Sequence, residues 1–186
     1  MSVFEAAVRA LHEGLSDWNR GAVPGLVSRA AMLFDESARA GDVRAGVGSA
    51  VARGLAGDLD GARRRLHELI AQTPDCAAGY VALGLFGLRD PDPIAQAAAT
   101  SWALIAARDL APGVACIERM LAQSLSTAGE FMTALQSARN ALALDPDDDE
   151  ARLWSAMLRL HFGGDVTAAS VLIEGATEGT ARGRSP

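Results

Sequence analysis

An internal repeat constrains the fold of this chain more than any other feature of its sequence. Residues 57–74 (GDLDGARRRLHELIAQTP) and residues 129–146 (GEFMTALQSARNALALDP) align without a gap, and both begin with glycine, an acid and an apolar residue and end with proline. Alanine or leucine recurs within each segment at a spacing of four and then three residues, which places one apolar stripe along a helix. A third copy begins at Gly164. The repeat therefore predicts a series of amphipathic helices.

The prolines that follow these helices give the period of the repeat. Pro74, Pro112 and Pro146 are separated by 38 and 34 residues, and a period near 34 residues is typical of stacked helical hairpins. This pattern resembles the tetratricopeptide repeat (TPR), whose unit pairs two antiparallel helices and ends near a proline. Three repeats are recognisable between about residues 43 and 176, and residues 89–95 (RDPDPIA) insert about four positions into one hairpin.

Two sets of residues carry the resemblance. The first set is the small residue at which the two helices of a TPR hairpin meet, and it consists of Ala62, Ala134 and Ala169. The second set is the aromatic residue, leucine and glycine that begin a repeat, namely Tyr80, Leu83 and Gly84. The resemblance implies an all-α fold, a right-handed α-solenoid of antiparallel helix pairs.

Helix start and stop signals, taken without reference to any family, predict about ten helices. Alanine fills 38 positions, which favours helix throughout. After two N-terminal helices, the predicted helices lie near residues 43–56, 59–72, 76–88, 93–109, 113–126, 129–144, 148–162 and 165–176. We expect residues 1–41 to form an atypical capping hairpin, residues 42–176 to form the TPR-like repeats, and residues 177–186 to be a disordered tail. Trp18 and Trp102 are expected in the core.

Charge and cysteine usage exclude several classes of partner. The chain has no lysine, a net charge of −6 and a pI near 5.0, which disfavours nucleic-acid binding. The start, MSVFEAAVRALHEG, has no basic region, and no apolar run of about 18 residues follows, so neither export nor membrane insertion is expected. Cys76 and Cys116 lack metal or redox spacing. We therefore expect two structural thiols in a cytoplasmic protein.

Four motifs could carry chemistry, and each has a simpler structural interpretation. The acidic run at 145–150 (DPDDDE) lacks the glycine and glutamate of a calcium loop and is typical of a helix start. The glycine-rich segment 46–54 has no preceding strand and no phosphate-binding lysine. The arginine run 63–65 is expected on a solvated face. The histidines, His12, His67 and His161, fall on different hairpins. We therefore expect no metal, no cofactor and no catalytic residue.

The resemblance places a binding surface on the first helix of each repeat, because these helices line the concave groove of TPR proteins. By alignment, the predicted groove residues are Ala78, Val81, Leu85, Arg89, Arg119, Gln123, Trp154, Leu158 and His161. Apolar anchors with one or two arginines suit a peptide or an amphipathic helix. The same apolar residues would equally suit packing against a neighbouring repeat or the C-terminal segment. Apolar residues also replace the lysine and asparagine with which some TPR proteins bind a peptide's terminal carboxylate.

These observations favour a non-enzymatic protein-interaction module, either an adaptor or an assembly chaperone, whose partner is another protein or a peptide segment. A self-assembling structural scaffold that stacks through its terminal helices is the alternative, so the chain could also form homo-oligomers. A helical enzyme is the third hypothesis, but the sequence lacks a convergent set of acid, base and nucleophile.

Overall fold

A computed structural model describes residues 6, 7, 10, 24–164, 167 and 169–171, and within them it contains helices and no strands. The eight helices of residues 24–164 are α1 (Pro24–Arg39), α2 (Val43–Leu55), α3 (Leu59–Gln72), α4 (Ala77–Leu88), α5 (Pro93–Leu110), α6 (Ala115–Thr127), α7 (Phe131–Leu144) and α8 (Asp149–Gly163). Their bounds confirm the helices predicted between residues 24 and 163. Trp18, the predicted tail and most of the first and last predicted helices lie outside the described residues.

The loops confirm the alignment of the repeats. Loops of three or four residues separate successive helices, so neighbouring helices that pack together run antiparallel. Gly57 and Gly129 occupy the same place in the two aligned segments, and both have a left-handed backbone, with φ of +109° and +82°. Glycine suits this conformation because it has no Cβ atom to clash. Each glycine ends one helix and allows the chain to reverse into the next.

The aligned apolar positions are the buried positions of these helices. Ala62 and Ala134 have no exposed surface, as expected for the small residue at which two helices meet. One turn further along, Leu66 and Ala138 are also completely buried. Side chains four and then three residues apart therefore lie against the neighbouring helices, as the periodicity predicted.

The chain divides into two compact units, residues 1–86 and residues 87–186, and the division falls inside α4. In the first unit, α2 packs against both α1 and α3. One core cluster joins Val47 of α2, Leu66 and Leu69 of α3, and Phe86 of α4. In the second unit, α6 packs against α5, α7 and α8, and α7 packs against α8.

The glycine-rich segment 46–54 lies within α2 and serves helix packing. A Cβ atom at Gly48 would lie 2.7 Å from the ring of Phe34, and one at Gly54 would lie 2.4 Å from the ring of Phe86. These glycines therefore leave room for two aromatic rings pressed against the helix. The segment is helical and packed on both sides, which supports the structural interpretation over a phosphate loop.

The prediction that Trp102 lies in the core is wrong. Trp102 is 61% exposed, whereas Leu104 and Ala107 on the opposite side of α5 are completely buried. Residues 93–107 contain no charged residue, and the polar Thr100 and Ser101 lie on the buried side, so polarity does not identify the exposed face of this helix. None of the helices in the described part of the chain, including the apolar α5, combines the length and hydropathy required to cross a membrane.

A partly exposed polar link joins α1 and α2 in the first unit. The Ser49 hydroxyl and the Arg53 guanidinium both donate hydrogen bonds to the carboxylate of Asp35. Burial alone would raise the pKa of Asp35, but the hydrogen bonds from Ser49 and Arg53, together with the charge of Arg53, outweigh it and lower the pKa below its usual value.

We expect the Ser49→Ala variant to be less stable at neutral pH by about 1 kcal/mol, because the variant loses a hydrogen bond to a charged group. A carboxyl with a lowered folded-state pKa stabilises the protein above its unfolded-state pKa and loses that effect as the pH falls through the folded-state value. The stability difference should therefore shrink in acid. Urea unfolding at neutral pH and near pH 3 measures it, with the exposed Ser28→Ala of α1 as control. A difference independent of pH would contradict the assigned role of Asp35.

An apolar pocket on helix α8

An apolar pocket lies in the second unit where α6, α7 and α8 meet. It has a volume of about 190 Å³. The lining residues are Ser126 from α6, Phe131 from α7, and Trp154, Met157, Leu158 and His161 from α8. We refer to this cavity, defined by these six residues, as the aromatic pocket.

Helical spacing explains why α8 supplies most of the lining. Trp154, Leu158 and His161 are four and three residues apart, so they lie on one face of the helix. Leu158 is 3% exposed and forms the floor, while Trp154 is half-buried and His161 is exposed at the rim. The structure thus brings together three of the residues that the sequence predicted for the groove.

The turn at Gly129 positions the opposite wall of the pocket. It places Phe131, the first residue of α7, next to the last turn of α8, where its ring centroid lies 6.2 Å from that of His161 at an interplanar angle of 49°. Tilted ring pairs at this distance are favourable. Phe131 and Met157 were not among the predicted groove residues, because that prediction rested on one face of the first helices. Its position at the start of the helix that follows the Gly129 turn was the signal that could have identified Phe131.

The chemistry of the lining suits an apolar side chain. Apart from Ser126 and His161, the pocket presents only hydrocarbon, aromatic and thioether surface. An apolar cavity of about 150 Å³ can hold a benzene molecule, so this pocket has room for an aromatic ring or a branched aliphatic side chain. Next to it, Leu153 and Leu160 are exposed on the same helix as Met157, and the three residues form an apolar stripe.

Arg119 holds the first turn of α8. Its Nε donates a hydrogen bond to Asp148 Oδ2 at 3.0 Å, and a second guanidinium nitrogen donates to Glu150. Asp148 is also the N-cap of α8, because its Oδ1 accepts from the backbone N–H of Ala151 at 2.9 Å. Two acids of the run at 145–150 thus bind an arginine that the sequence had assigned to ligand binding.

The other predicted groove residues are placed as follows. Gln123 lines a small cavity of about 90 Å³ in the second unit, together with Thr100 and Thr127. Arg89 is exposed in the loop before α5. Ala78, Val81 and Leu85 lie on one face of α4 in the first unit, where Ala78 is exposed and the other two are half-buried.

A polar cleft of about 310 Å³ in the first unit carries no comparable binding signal. Its walls contain three acids and three arginines, namely Asp35, Asp58, Glu68, Arg53, Arg64 and Arg65. Most of these charges already have internal partners: Arg53 binds Asp35, Arg65 pairs with Glu68 at 3.0 Å, and Asp58 caps α3. Among the residues that the structure describes, no three histidines, cysteines or acids are grouped closely enough to hold a metal ion.

No protein-family model matches the sequence, and no curated protein is similar to it in sequence. Solved structures are nevertheless similar over almost the whole chain. MamA from Desulfovibrio magneticus RS-1 has a TM-score of 0.72 and 17% identity, over 97% of this chain and 98% of that one. A thermophilic TPR protein of Thermus thermophilus has a TM-score of 0.70 and 23% identity, over 95% and 93%. The chain therefore has a TPR-like, all-α repeat fold.

Proposed function

We propose that this chain is a protein-interaction module that binds an apolar side chain of a partner in the aromatic pocket. The observation that carries this proposal is the pocket itself, an open apolar cavity built around the half-buried Trp154 on a helix of a TPR-like fold. Ligand pockets are characteristically concave and mostly apolar, with a few polar groups at the edge. Here Ser126 and His161 are those polar groups.

An amphipathic helix is the form of ligand that suits this surface. The stripe of Leu153, Met157 and Leu160 runs beside the pocket, so a second helix could lie along it and insert one side chain next to Trp154. Helix-in-groove recognition uses apolar anchors at this kind of spacing. Arg119 is bound to Asp148 and Glu150 and therefore positions α8 instead of orienting the ligand.

The role that follows is that of an adaptor or an assembly chaperone acting without catalysis in the cytoplasm. Both roles need a surface that covers an apolar segment of another protein, and the aromatic pocket with its adjacent stripe provides one. The absence of lysine and the net charge of −6 favour a protein partner over nucleic acid.

A peptide library tests this proposal directly. We expect helical peptides selected on the native chain to contain a large apolar residue, and we expect Trp154→Ala to weaken their binding at least about 30-fold, as for a buried tryptophan at an interface. Binding is measured by fluorescence anisotropy of the labelled peptide. The Trp154→Ala variant should retain its helical circular dichroism, because Trp154 is only half-buried.

Met132→Ala is the matched control, because Met132 is 75% exposed next to Phe131 but does not line the pocket. This variant should bind the selected peptides as the native chain does. Peptides that bind the Trp154→Ala variant and the native chain with equal affinity would refute the proposed site.

Self-assembly is a second candidate function, favoured by the same exposed stripe on α8. Repeat arrays expose apolar surface where the next repeat would stack, and Leu153 and Leu160 present such a surface. Head-to-tail stacking would give open-ended assemblies. A native chain that forms progressively larger species in sedimentation, and a Leu153→Glu/Leu160→Glu variant that does not, would favour the scaffold over the peptide-binding module.

A further inference from the structure

The exposed face of α5 is apolar along most of its length. Ile94 is 75% exposed and Trp102 is 61% exposed, and Ala98 and Ile105 are also exposed. Their spacing of four, four and three residues places them on one side of the helix. The stripe from Ile94 to Ile105 extends for about 16 Å at about 1.5 Å per residue. We refer to these four residues as the α5 stripe.

The α5 stripe is exceptional when compared with the corresponding helices of the other hairpins. On α3, the exposed residues include Asp60, Arg64 and Glu68. On α7, they include Gln136 and Arg139. A solvated outer helix normally has a polar face of this kind. The contrast within a single chain indicates that the outer face of α5 is covered in the working form of the protein.

We infer that the α5 stripe is a dimer interface that pairs with the same stripe of a second copy of this chain. Most homo-oligomers are two-fold symmetric, and such an interface must be complementary to itself. The α5 stripe satisfies this requirement when two α5 helices pack antiparallel and the two-fold symmetry axis passes midway between Ala98 and Trp102. Trp102 of each copy then lies over the small Ala98 of the other.

The same register also aligns the rest of the interface. Ile94 of one copy lies beside Ile105 of the other, so the outer anchors are paired. At the ends, Asp92 of one copy comes near the Arg108–Asp109 ion pair of the other, whereas a parallel arrangement would place the two Asp92 carboxylates side by side. Asp92 caps α5 and Arg108 contacts Asp109, so both are already held at the helix ends.

The exposed area is large enough for a dimer. The α5 stripe and the exposed alanines Ala95 and Ala99 beside it present on the order of 500 Å² per copy, so pairing would bury on the order of 1,000 Å², near the lower limit of specific interfaces. The alanines also allow the two helices to approach closely.

A membrane surface fits the α5 stripe less well than a second copy does. Helices that lie on membranes carry lysine or arginine beside their apolar face to bind anionic lipids. Here the chain has no lysine, residues 93–107 carry no charge, and the net charge is −6. A dimer requires no basic rim, because the two apolar faces cover one another.

Analytical ultracentrifugation over a range of concentrations tests the inference. We expect the native chain to form a closed dimer and Trp102→Glu to remain monomeric, since two buried carboxylates would oppose pairing. Leu153→Glu on α8 is the matched control, since Leu153 is an exposed apolar residue outside the α5 stripe, and it should still dimerise. Circular dichroism and urea unfolding confirm that Trp102→Glu is folded. A dimer that survives Trp102→Glu, or is lost only in Leu153→Glu, would overturn the inference.

Disulfide cross-linking tests the register. In a background with Cys76 and Cys116 changed to serine, an equimolar mixture of Ile94→Cys and Ile105→Cys chains should cross-link on oxidation, whereas either chain alone should not. Cross-linking of Ile94→Cys with itself would overturn the antiparallel register. A native chain that stays monomeric at about 200 µM, or that floats with phosphatidylcholine vesicles as a monomer, would overturn the dimer.

Discussion

Replacing Phe86 with alanine should lower the free energy of unfolding by about 3–5 kcal/mol. Phe86 is 1% exposed and is the largest side chain in the core cluster formed with α2 and α3. Its removal would leave a cavity that the surrounding leucines can fill only in part. The expected loss is a large fraction of the roughly 5–15 kcal/mol that stabilises a typical domain. Equilibrium unfolding in urea measures the difference.

The contact between Phe86 and Gly54 makes a sharper form of this prediction possible. Alanine normally favours a helix interior over glycine by about 1 kcal/mol, but a Cβ atom at Gly54 would lie 2.4 Å from the Phe86 ring. Gly54→Ala should therefore destabilise the native chain, by about 1–3 kcal/mol for overpacking. In the Phe86→Ala background the new methyl group enters vacated space, so the same change should become stabilising.

Gly25→Ala is the control for this pair, because a Cβ atom at Gly25 would meet nothing within 4 Å. It should leave stability unchanged or raise it slightly in both backgrounds. An effect of Gly54→Ala with the same sign and size in both backgrounds would show that steric contact with the Phe86 ring does not explain why glycine stands at this position.

The sequence predicted the helices well because local signals and the repeat agree with one another. Gly57 and Gly129 end helices by a backbone geometry that glycine favours, and aspartates cap the starts of α2, α3, α5 and α8. On α3, Ala62 and Leu66 are four residues apart and polar residues occupy the opposite side, so the pattern identified the buried face. Each of these signals depends on residues that are close together in the chain, so it can be recognised from one sequence alone.

The candidate binding surface was less predictable because it depends on which side chains meet between helices. Arg119 and the acids Asp148 and Glu150 are far apart in sequence, and nothing in either segment indicates that they pair. Trp102 was misplaced for a related reason, since an apolar residue on an almost uniformly apolar helix gives no indication of direction. Trp154 and Leu158 were assigned to the groove by alignment with the first helix of the repeat, and both line the aromatic pocket.

The second large effect is expected at the N-cap of α8. Asp148→Ala removes both the cap of Ala151 and the Arg119 partner, and we expect a loss of about 2–3 kcal/mol. Asp148→Asn should cost about half as much, because asparagine caps a helix as well as aspartate does but has only one acceptor oxygen. Asp147→Ala is the matched control: its side chain is 99% exposed in a surface ion pair, so we expect less than about 1 kcal/mol.

The same variants also test whether the first turn of α8 positions the residues that line the aromatic pocket. Trp154 lies within the second turn of the helix that Asp148 caps and Arg119 holds. If that cap fixes the position of Trp154, Asp148→Ala should weaken binding of a peptide selected on the native chain several-fold under conditions where the variant is still folded. Asp147→Ala should bind as the native chain does. Unchanged affinity in Asp148→Ala, measured alongside the lower stability, would show that the first turn of α8 stabilises the unit without positioning the pocket.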